Sequence, residues 1–260
     1  MVRSMAIQAI RFTFTDGDDV FDEVLRPVLV NMLALMLADP NTENRRLALG
    51  TLNAAIQHKG DIVLPQLGSV LPLVLKDSKI DPDLIREVQM GPFKHKVDDG
   101  LELRKSAYET LFSLLDAAYS KISPPALFER VLDGLADEHE IKMLCTSLLT
   151  KLIVLDPNTL GLQLDPIAEA FKKILSFRPK ENAVKQEVEK ANEASKAVLT
   201  VTVRLGMAFP TAAKDGNLAA SSAGSAGAAG PGWRSYWDWL SKEQRDTLSR
   251  IDYEVKSQAA

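Results

Sequence analysis

The chain has 260 residues, 46% of them hydrophobic and 25% charged, with a formal net charge of −4 and a pI near 5.5. That balance describes a soluble protein with a core and argues against a nucleic acid or an anionic membrane as the main partner. One cysteine, Cys145, excludes an intramolecular disulfide and fits a reducing compartment. No apolar run approaches the ~18 uncharged residues of a membrane span, and MVRSMAIQAIRF lacks the features of a signal peptide. A protein of the nucleus and cytoplasm is expected.

Apolar residues recur at three- and four-residue spacing through the first 206 positions, as in Val24, Val28, Met32, Met36 and again in Leu144, Leu148, Leu152, Leu155. That period predicts helices. They are placed at 2–15, 19–38, 42–58, 61–76, 100–119, 125–135, 139–155, 159–177 and 182–206, with Pro and Gly marking most joints. One segment breaks the pattern. From about 84 to 98 the residues alternate: Val88 and Met90 against Glu87 and Gln89, then Phe93, His95 and Val97 against Lys94 and Lys96. Alternation around Gly91-Pro92 predicts a β-hairpin with a two-residue type II′ turn, because Gly accepts a positive φ and Pro supplies the next φ. The implied register sets Met90 opposite Phe93, Val88 opposite His95, Gln89 opposite Lys94 and Glu87 opposite Lys96. An isolated hairpin is marginal in water, so it leans on its own helices or on another protein.

The helix joints repeat. An acidic residue is followed five or six positions later by a basic one: Asp39 to Arg45, Asp99 to Arg104, Asp137 to Lys142, and more loosely Lys185. The basic markers lie 59, 38 and 43 residues apart, and the longest interval falls to about 40 once a hairpin of roughly 20 residues is removed, the period of HEAT repeats. The fold class is therefore all-α: a HEAT-repeat α-solenoid over 1–206 with one inserted β-hairpin. Residues 2–15, with Ile7, Ile10 and Phe14 on one stripe, read as the second helix of a repeat whose first is missing. A solenoid end without a polar cap is expected of a fragment or a truncated gene model. Residues 207–232, rich in Ala, Gly and Ser, read as a disordered linker. Residues 233–260 read as a Trp-rich tail with a helix at about 240–256.

Catalytic chemistry finds little support, and no enzyme is expected. His58, His95 and His139 lie in separate segments without metal-ligand spacing, so neither metal nor cofactor is expected. Cys145 falls on the apolar face of its helix and reads as core. Asp98-Asp99-Gly100 lacks the remaining ligands of a calcium loop, and Asp99 reads better as the N-cap or a turn residue of the helix that begins at Leu101. The hairpin has two readings, an arm filling a gap among its neighbours or an arm presenting its tip to a partner.

VQMGPFKHKVDDGLELRKSAYETLFSLLD closely resembles the hairpin and following helix in the C-terminal domain of the cullin-associated, neddylation-dissociated family. DPNTENRRLALGTLNAA, IKMLCTSLLTKL and ENAVKQEVEKANEASKAV extend the resemblance over about residues 2 to 205. The low-complexity stretch and Trp-rich tail show no such match. The resemblance implies a non-enzymatic factor, usually much longer, that wraps an unmodified cullin–RING complex. Its C-terminal part holds the cullin's N-terminal region in competition with the adaptor and F-box receptor. Carried onto this sequence, it implies partner-binding residues Glu87, Gln89, Met90, Gly91, Pro92, Phe93, Lys94, His95 and Lys96, with Met90 and Phe93 as apolar contacts and Lys94 and Lys96 as steering charges. A monomer without nucleic-acid or membrane partners is expected. A TATA-binding-protein-interacting regulator and a general HEAT scaffold of the nuclear-transport kind stay open as alternatives.

Overall fold

A computed structural model describes residues 2–15, 19–91, 93–209 and 230–259. It divides into two compact units, residues 1–130 and 131–260. The first unit contains α1 (Val2–Phe12), α2 (Asp19–Leu25), α3 (Leu29–Leu37), α4 (Thr42–His58), α5 (Gly60–Val63), α6 (Leu71–Asp77), the strands β1 (Ile85–Met90) and β2 (Phe93–Asp98), and α7 (Leu101–Ala118). The boundary falls within α8 (Pro124–Leu135). The second unit contains α9 (His139–Leu155), α10 (Pro157–Leu162), α11 (Leu164–Ser176), α12 (Lys185–Ala208), α13 (Pro231–Glu243) and α14 (Arg245–Ala259). The described residues are helical apart from this one two-stranded hairpin, consistent with the predicted all-α solenoid with an inserted hairpin.

In the first unit α4 lies at the centre, packed on α1, α3 and α7. Its start is set by Asn41, whose side chain accepts from the Asn44 amide at 3.1 Å and satisfies a donor that the first helical turn leaves free. Leu49, Leu52, Ala55 and Ile56 face inward from α4, and Leu103, Ala107, Leu111 and Leu114 meet them from α7. Each fully buried aliphatic side chain of this kind contributes roughly 1.5–3 kcal/mol of transfer free energy. Tyr108 is also buried and donates its hydroxyl to the Arg130 carbonyl at 2.6 Å.

Three predicted helices are interrupted. The segment 19–38 breaks at Arg26 to Val28, where Pro27 has no amide to donate and its ring crowds the preceding turn. The break also shifts the phase of burial. Leu25, Leu29, Leu33 and Leu37 are buried, and of the expected stripe Met36 is buried too, whereas Val24 and Val28 are exposed. The segment 61–76 becomes α5, a 3-10 stretch over Leu64–Ser69, and α6, with Pro65 and Pro72 at the starts of the last two pieces. The segment 159–177 divides at Gln163 into α10 and α11.

In the second unit α12 packs on α9, α11 and α14, and α11 packs on α13. Helix α13 begins at Pro231 and not near 240, so the Trp-rich segment is itself helical. Trp233, Tyr236 and Leu240 are buried. The Tyr236 ring lies 6.4 Å from Phe171 of α11, and its hydroxyl bonds Thr202 Oγ1 of α12 at 2.8 Å. A second helix, α14, follows after Gln244 and buries Ile251 and Val255. Most of the predicted linker, residues 210–229, lies outside the described residues.

Candidate partner-binding hairpin

The hairpin forms in the predicted register. Met90 pairs with Phe93, Gln89 with Lys94, Val88 with His95 and Glu87 with Lys96, and pairing continues to Arg86 with Val97 and Ile85 with Asp98. Gly91 takes φ of +60°, the value that a type II′ turn requires at its first central position and that only Gly adopts without strain. Pro92 and the side chains of Met90 and Phe93 lie outside the described residues.

Among the described residues the two strands pack chiefly on each other. Glu87, Gln89, Lys94, His95 and Lys96 are exposed, while Val88 and Val97 are half-buried. The arm therefore presents Gln89, Gly91, Lys94, His95 and Lys96 to solvent. Gln89 donates its side-chain amide to the Gly91 carbonyl at 2.7 Å, tightening the turn. Lys94 lies 3.4 Å from Glu87, a diagonal contact and not the directly opposed pair. Both side chains are about 70% exposed, so water screens the pair and it adds little to stability.

What holds the arm is its base. Asp98 lies 2.9 Å from the buried guanidinium of Arg104 on α7 and accepts the Gly100 amide at 2.9 Å. Asp99 receives two hydrogen bonds from Arg86, at 2.5 and 3.2 Å, and donates its own amide to the Leu84 carbonyl at 3.0 Å. The Arg86 bond holds the Asp99 carboxyl below its ordinary pKa. Two adjacent carboxylates thus take two different arginines. Of the two roles expected of Asp99, turn residue holds and N-cap does not, since the cap position falls on Gly100; Arg104 meets Asp98, the last residue of β2, while Asp99 takes Arg86 of β1. Arg86 and Asp98 escaped the sequence reading. The adjacency of two acids before Gly100 was the available signal, but spacing cannot tell which of them faces the helix.

The other acidic-basic joints behave differently from one another. Arg45 donates to the Asp39 carbonyl at 3.2 Å and lies 3.3 Å from Asp77 at the end of α6, so it links two successive helix pairs. Lys142 donates to the Asp137 carbonyl. Lys185 is instead an exposed residue at the start of α12, paired with Glu189 one turn on.

Cys145 is buried in α9, and burial pushes its thiol pKa well up, away from nucleophilic use. Among the described residues no three His, Cys, Asp or Glu side chains are placed to hold a metal ion, and no helix is long and apolar enough to cross a membrane. The arrangement offers surface for contact.

Residues 62–241, which include the whole hairpin, match the family model described as TATA-binding protein interacting (TIP20). A cullin-associated NEDD8-dissociated protein 1, C-terminal part, from Emericella nidulans is 47% identical over 253 residues, 97% of this chain and 23% of its own length. The chain belongs to the cullin-associated NEDD8-dissociated protein family. Cullin-associated NEDD8-dissociated protein 1 of Drosophila melanogaster is 34% identical over 217 residues, 84% of this chain and 17% of its length. The Arabidopsis thaliana protein of that name is 33% identical over 198 residues, 76% of this chain and 16% of its length. This chain thus spans about a quarter or less of the family members it matches. A match over 253 residues cannot be confined to 2–205, so family likeness reaches into the Trp-rich segment that was expected to lie outside it.

Proposed function

We propose that the chain is the cullin-binding C-terminal part of a non-enzymatic exchange factor. In this reading it engages the N-terminal region of a cullin within an un-neddylated cullin–RING complex. The hairpin tip excludes the adaptor and F-box receptor, which regulates assembly of SCF-type ubiquitin ligases. The observation that carries the reading is an exposed hairpin in the predicted register, inside the stretch that matches the family. Relatives that carry "cullin-associated" in their names support it. Exposed charges at Lys94 and Lys96 suit steering and orientation more than raw affinity. Mutual exclusion is reciprocal: each ligand weakens the other's hold on the cullin within a transient ternary complex. The chain acts as a monomer in nucleus and cytoplasm.

The test is a pull-down on an immobilised cullin–RING complex with adaptor as competitor. Deleting Gln89 to Lys94 should leave helicity largely intact and relieve the competition. Unchanged competition sinks the proposal. The description of the matched family model favours a second reading, contact with the TATA-binding protein. Affinity capture that returns a general transcription factor and no cullin would install that reading instead.

A further inference from the structure

Helix α11 carries two apolar faces. Leu164, Ile167, Phe171 and Leu175 are buried in the second unit, while Pro166, Ala170 and Ile174, continued by Phe177 just past the helix end, line a groove of about 710 Å³. The start of α12 adds Val184, Glu187, Ala191 and Ala194 at the same three- and four-residue spacing, and Leu132 and Leu135 of α8 complete the apolar lining. The groove lies wholly within the second unit, and its volume falls in the range of about 300–1,000 Å³ usual for ligand sites. It is open to solvent, since Phe177 is 54% and Val184 68% exposed. The solvent-facing stripe of a surface helix is normally polar, so a second apolar stripe on α11 calls for an occupant.

Charge narrows the choice. In the lining Glu138, Glu169 and Glu187 stand against Lys142, Lys173 and Lys190. Each lysine is already engaged: Lys173 with Glu169 at 2.8 Å, Lys190 with Glu140 at 2.9 Å, and Lys142 with the Asp137 carbonyl. His139 pairs with Glu193 at 3.0 Å, and Arg178 donates to the Leu175 and Phe177 carbonyls. Glu138 and Glu187 are exposed and have no ion pair among the described residues. With Asp137, Glu140 and Glu193 beside the lining, acids outnumber bases around the groove even when His139 is protonated. An anionic occupant would set like charge against both free carboxylates, whereas Lys or Arg beside an apolar side chain would answer them. Glu138 holds the N-cap position of α9 and Glu187 the first turn of α12, where the helix dipoles offset part of their field. The charge preference is therefore modest, and the apolar stripe supplies most of the attraction.

We propose that this groove docks one amphipathic helix of a partner protein, which lays bulky apolar side chains at i, i+3, i+4 and i+7 against α11 and α12 and sets Lys or Arg against Glu138 and Glu187. The small residues favour a helix. Ala170 on α11 and Ala191 on α12 are half-buried in the lining, and with no more than a methyl group at each the incoming backbone can approach closely. The bulkier Ile174, Phe177 and Val184 then flank its apolar side chains. This site is separate from the hairpin and does not rest on the reading of the hairpin as a docking arm.

The experiment titrates the whole chain by NMR with synthetic peptides of about 18 residues, beyond the length at which isolated helices are marginal. All share Leu at i, i+3, i+4 and i+7 and carry Lys, Gln or Glu at the flanking positions. The methyl groups of Ala170, Ile174, Val184 and Ala191 report binding. The Lys peptide should shift all of them saturably and bind roughly fivefold tighter than the Gln peptide, the factor expected from two exposed ion pairs of ordinary strength. The Glu peptide should bind most weakly. Glu138→Gln combined with Glu187→Gln should equalise the Lys and Gln peptides and keep saturation. Ala191→Leu, which fills the groove, should abolish saturation with the helical circular dichroism unchanged. Phe177→Ser, at an exposed position, should weaken the Lys peptide severalfold and decides the matter if Ala191→Leu unfolds. Equal or tighter binding of the Glu peptide overturns the proposal, as does a linear response to the Lys peptide or parental affinity in Phe177→Ser. A Lys preference that survives in the double Gln variant overturns it too, because the preference then comes from the overall charge of the chain.

Discussion

The backbone amide of Trp233 donates to the Asp165 carboxylate at 2.8 Å, across 68 residues of sequence. This bond joins the first turn of α13 to the first turn of α11. Asp165 therefore serves a helix other than its own, with its negative charge at the amide-rich N-terminus of α13, where the helix dipole favours it. The approach is close enough that a Cβ on Gly230 would overlap the carboxylate and one on Gly232 would come within 3.0 Å of it. A side chain at 230 would therefore have to displace the Asp165 carboxylate, whereas one at 232 would need it to give by only a few tenths of an ångström.

Asp165→Ala should destabilise the second unit by about 1–2 kcal/mol, the range for losing a helix cap with favourable charge. Gly230→Ala should destabilise it as well, and less so when combined with Asp165→Ala, because the clash partner is then gone. Urea unfolding followed by tryptophan fluorescence checks both. Additive effects would show that the close approach is not what constrains residue 230.

Trp233→Ala should cost ~3–5 kcal/mol, since it empties a fully buried aromatic site. Trp233→Phe should cost clearly less. The indole N–H has no hydrogen-bond partner among the described residues, so the substitution loses volume but also removes an unsatisfied buried donor. Comparing the two unfolding midpoints decides this. Equal losses would place the importance of Trp233 in something other than packing.

The two arginines at the base of the hairpin should differ sharply. Arg104 is buried, and Arg104→Met leaves Asp98 without its charge partner, a loss of roughly 3 kcal/mol for a buried pair broken on one side. Arg86 and Asp99 are both substantially exposed, so Arg86→Met should cost under about 1 kcal/mol. Hydrogen exchange of the β1 and β2 amides should speed up in the first variant far more than in the second.

Burial raises the pKa of Asp77, against the opposing pull of Arg45. The sign follows from proton binding. Between the ordinary carboxylate value of 3.8 and the raised folded value, the folded state holds this proton more often than the unfolded chain does. The contribution of Asp77 to stability therefore declines as pH rises through that window, and above it the full desolvation penalty remains. Asp77→Asn should remove this pH dependence, so the stability difference between variant and parent should shift toward the variant between pH 4 and pH 7. Urea unfolding at the two pH values measures it, and a shift of opposite sign would show that pairing with Arg45 outweighs burial.

The hairpin was legible residue by residue because its determinants are local. Gly91 fixes the turn, the two-residue turn fixes the register, and strict alternation fixes the faces, all within 14 residues from Ile85 to Asp98. The helix breaks were half legible. Pro27 stood in plain sight, but the apolar spacing on either side suggested one continuous helix, and the phase of burial shifted with the break. Pairing at the joints was legible only by type. Arg45 and Lys142 found the Asp39 and Asp137 carbonyls at the predicted spacing, whereas Arg104 chose Asp98 over its neighbour.

By itself the sequence determined the helical class, the repeat period and the hairpin with its register, because 3.6-residue and two-residue periodicities and turn stereochemistry are short-range properties of the chain. Tertiary structure alone decided the place of the Trp-rich segment, which read as a tail and proves to be a helix pair packed on α11 and α12. It also decided which of two adjacent aspartates meets Arg104. The physical reason is the same in both cases. Burial of Trp233 and Tyr236 needs Asp165, Phe171 and Thr202, and the choice of Asp98 needs the direction of a side chain leaving β2, so neither is defined until distant segments share one core.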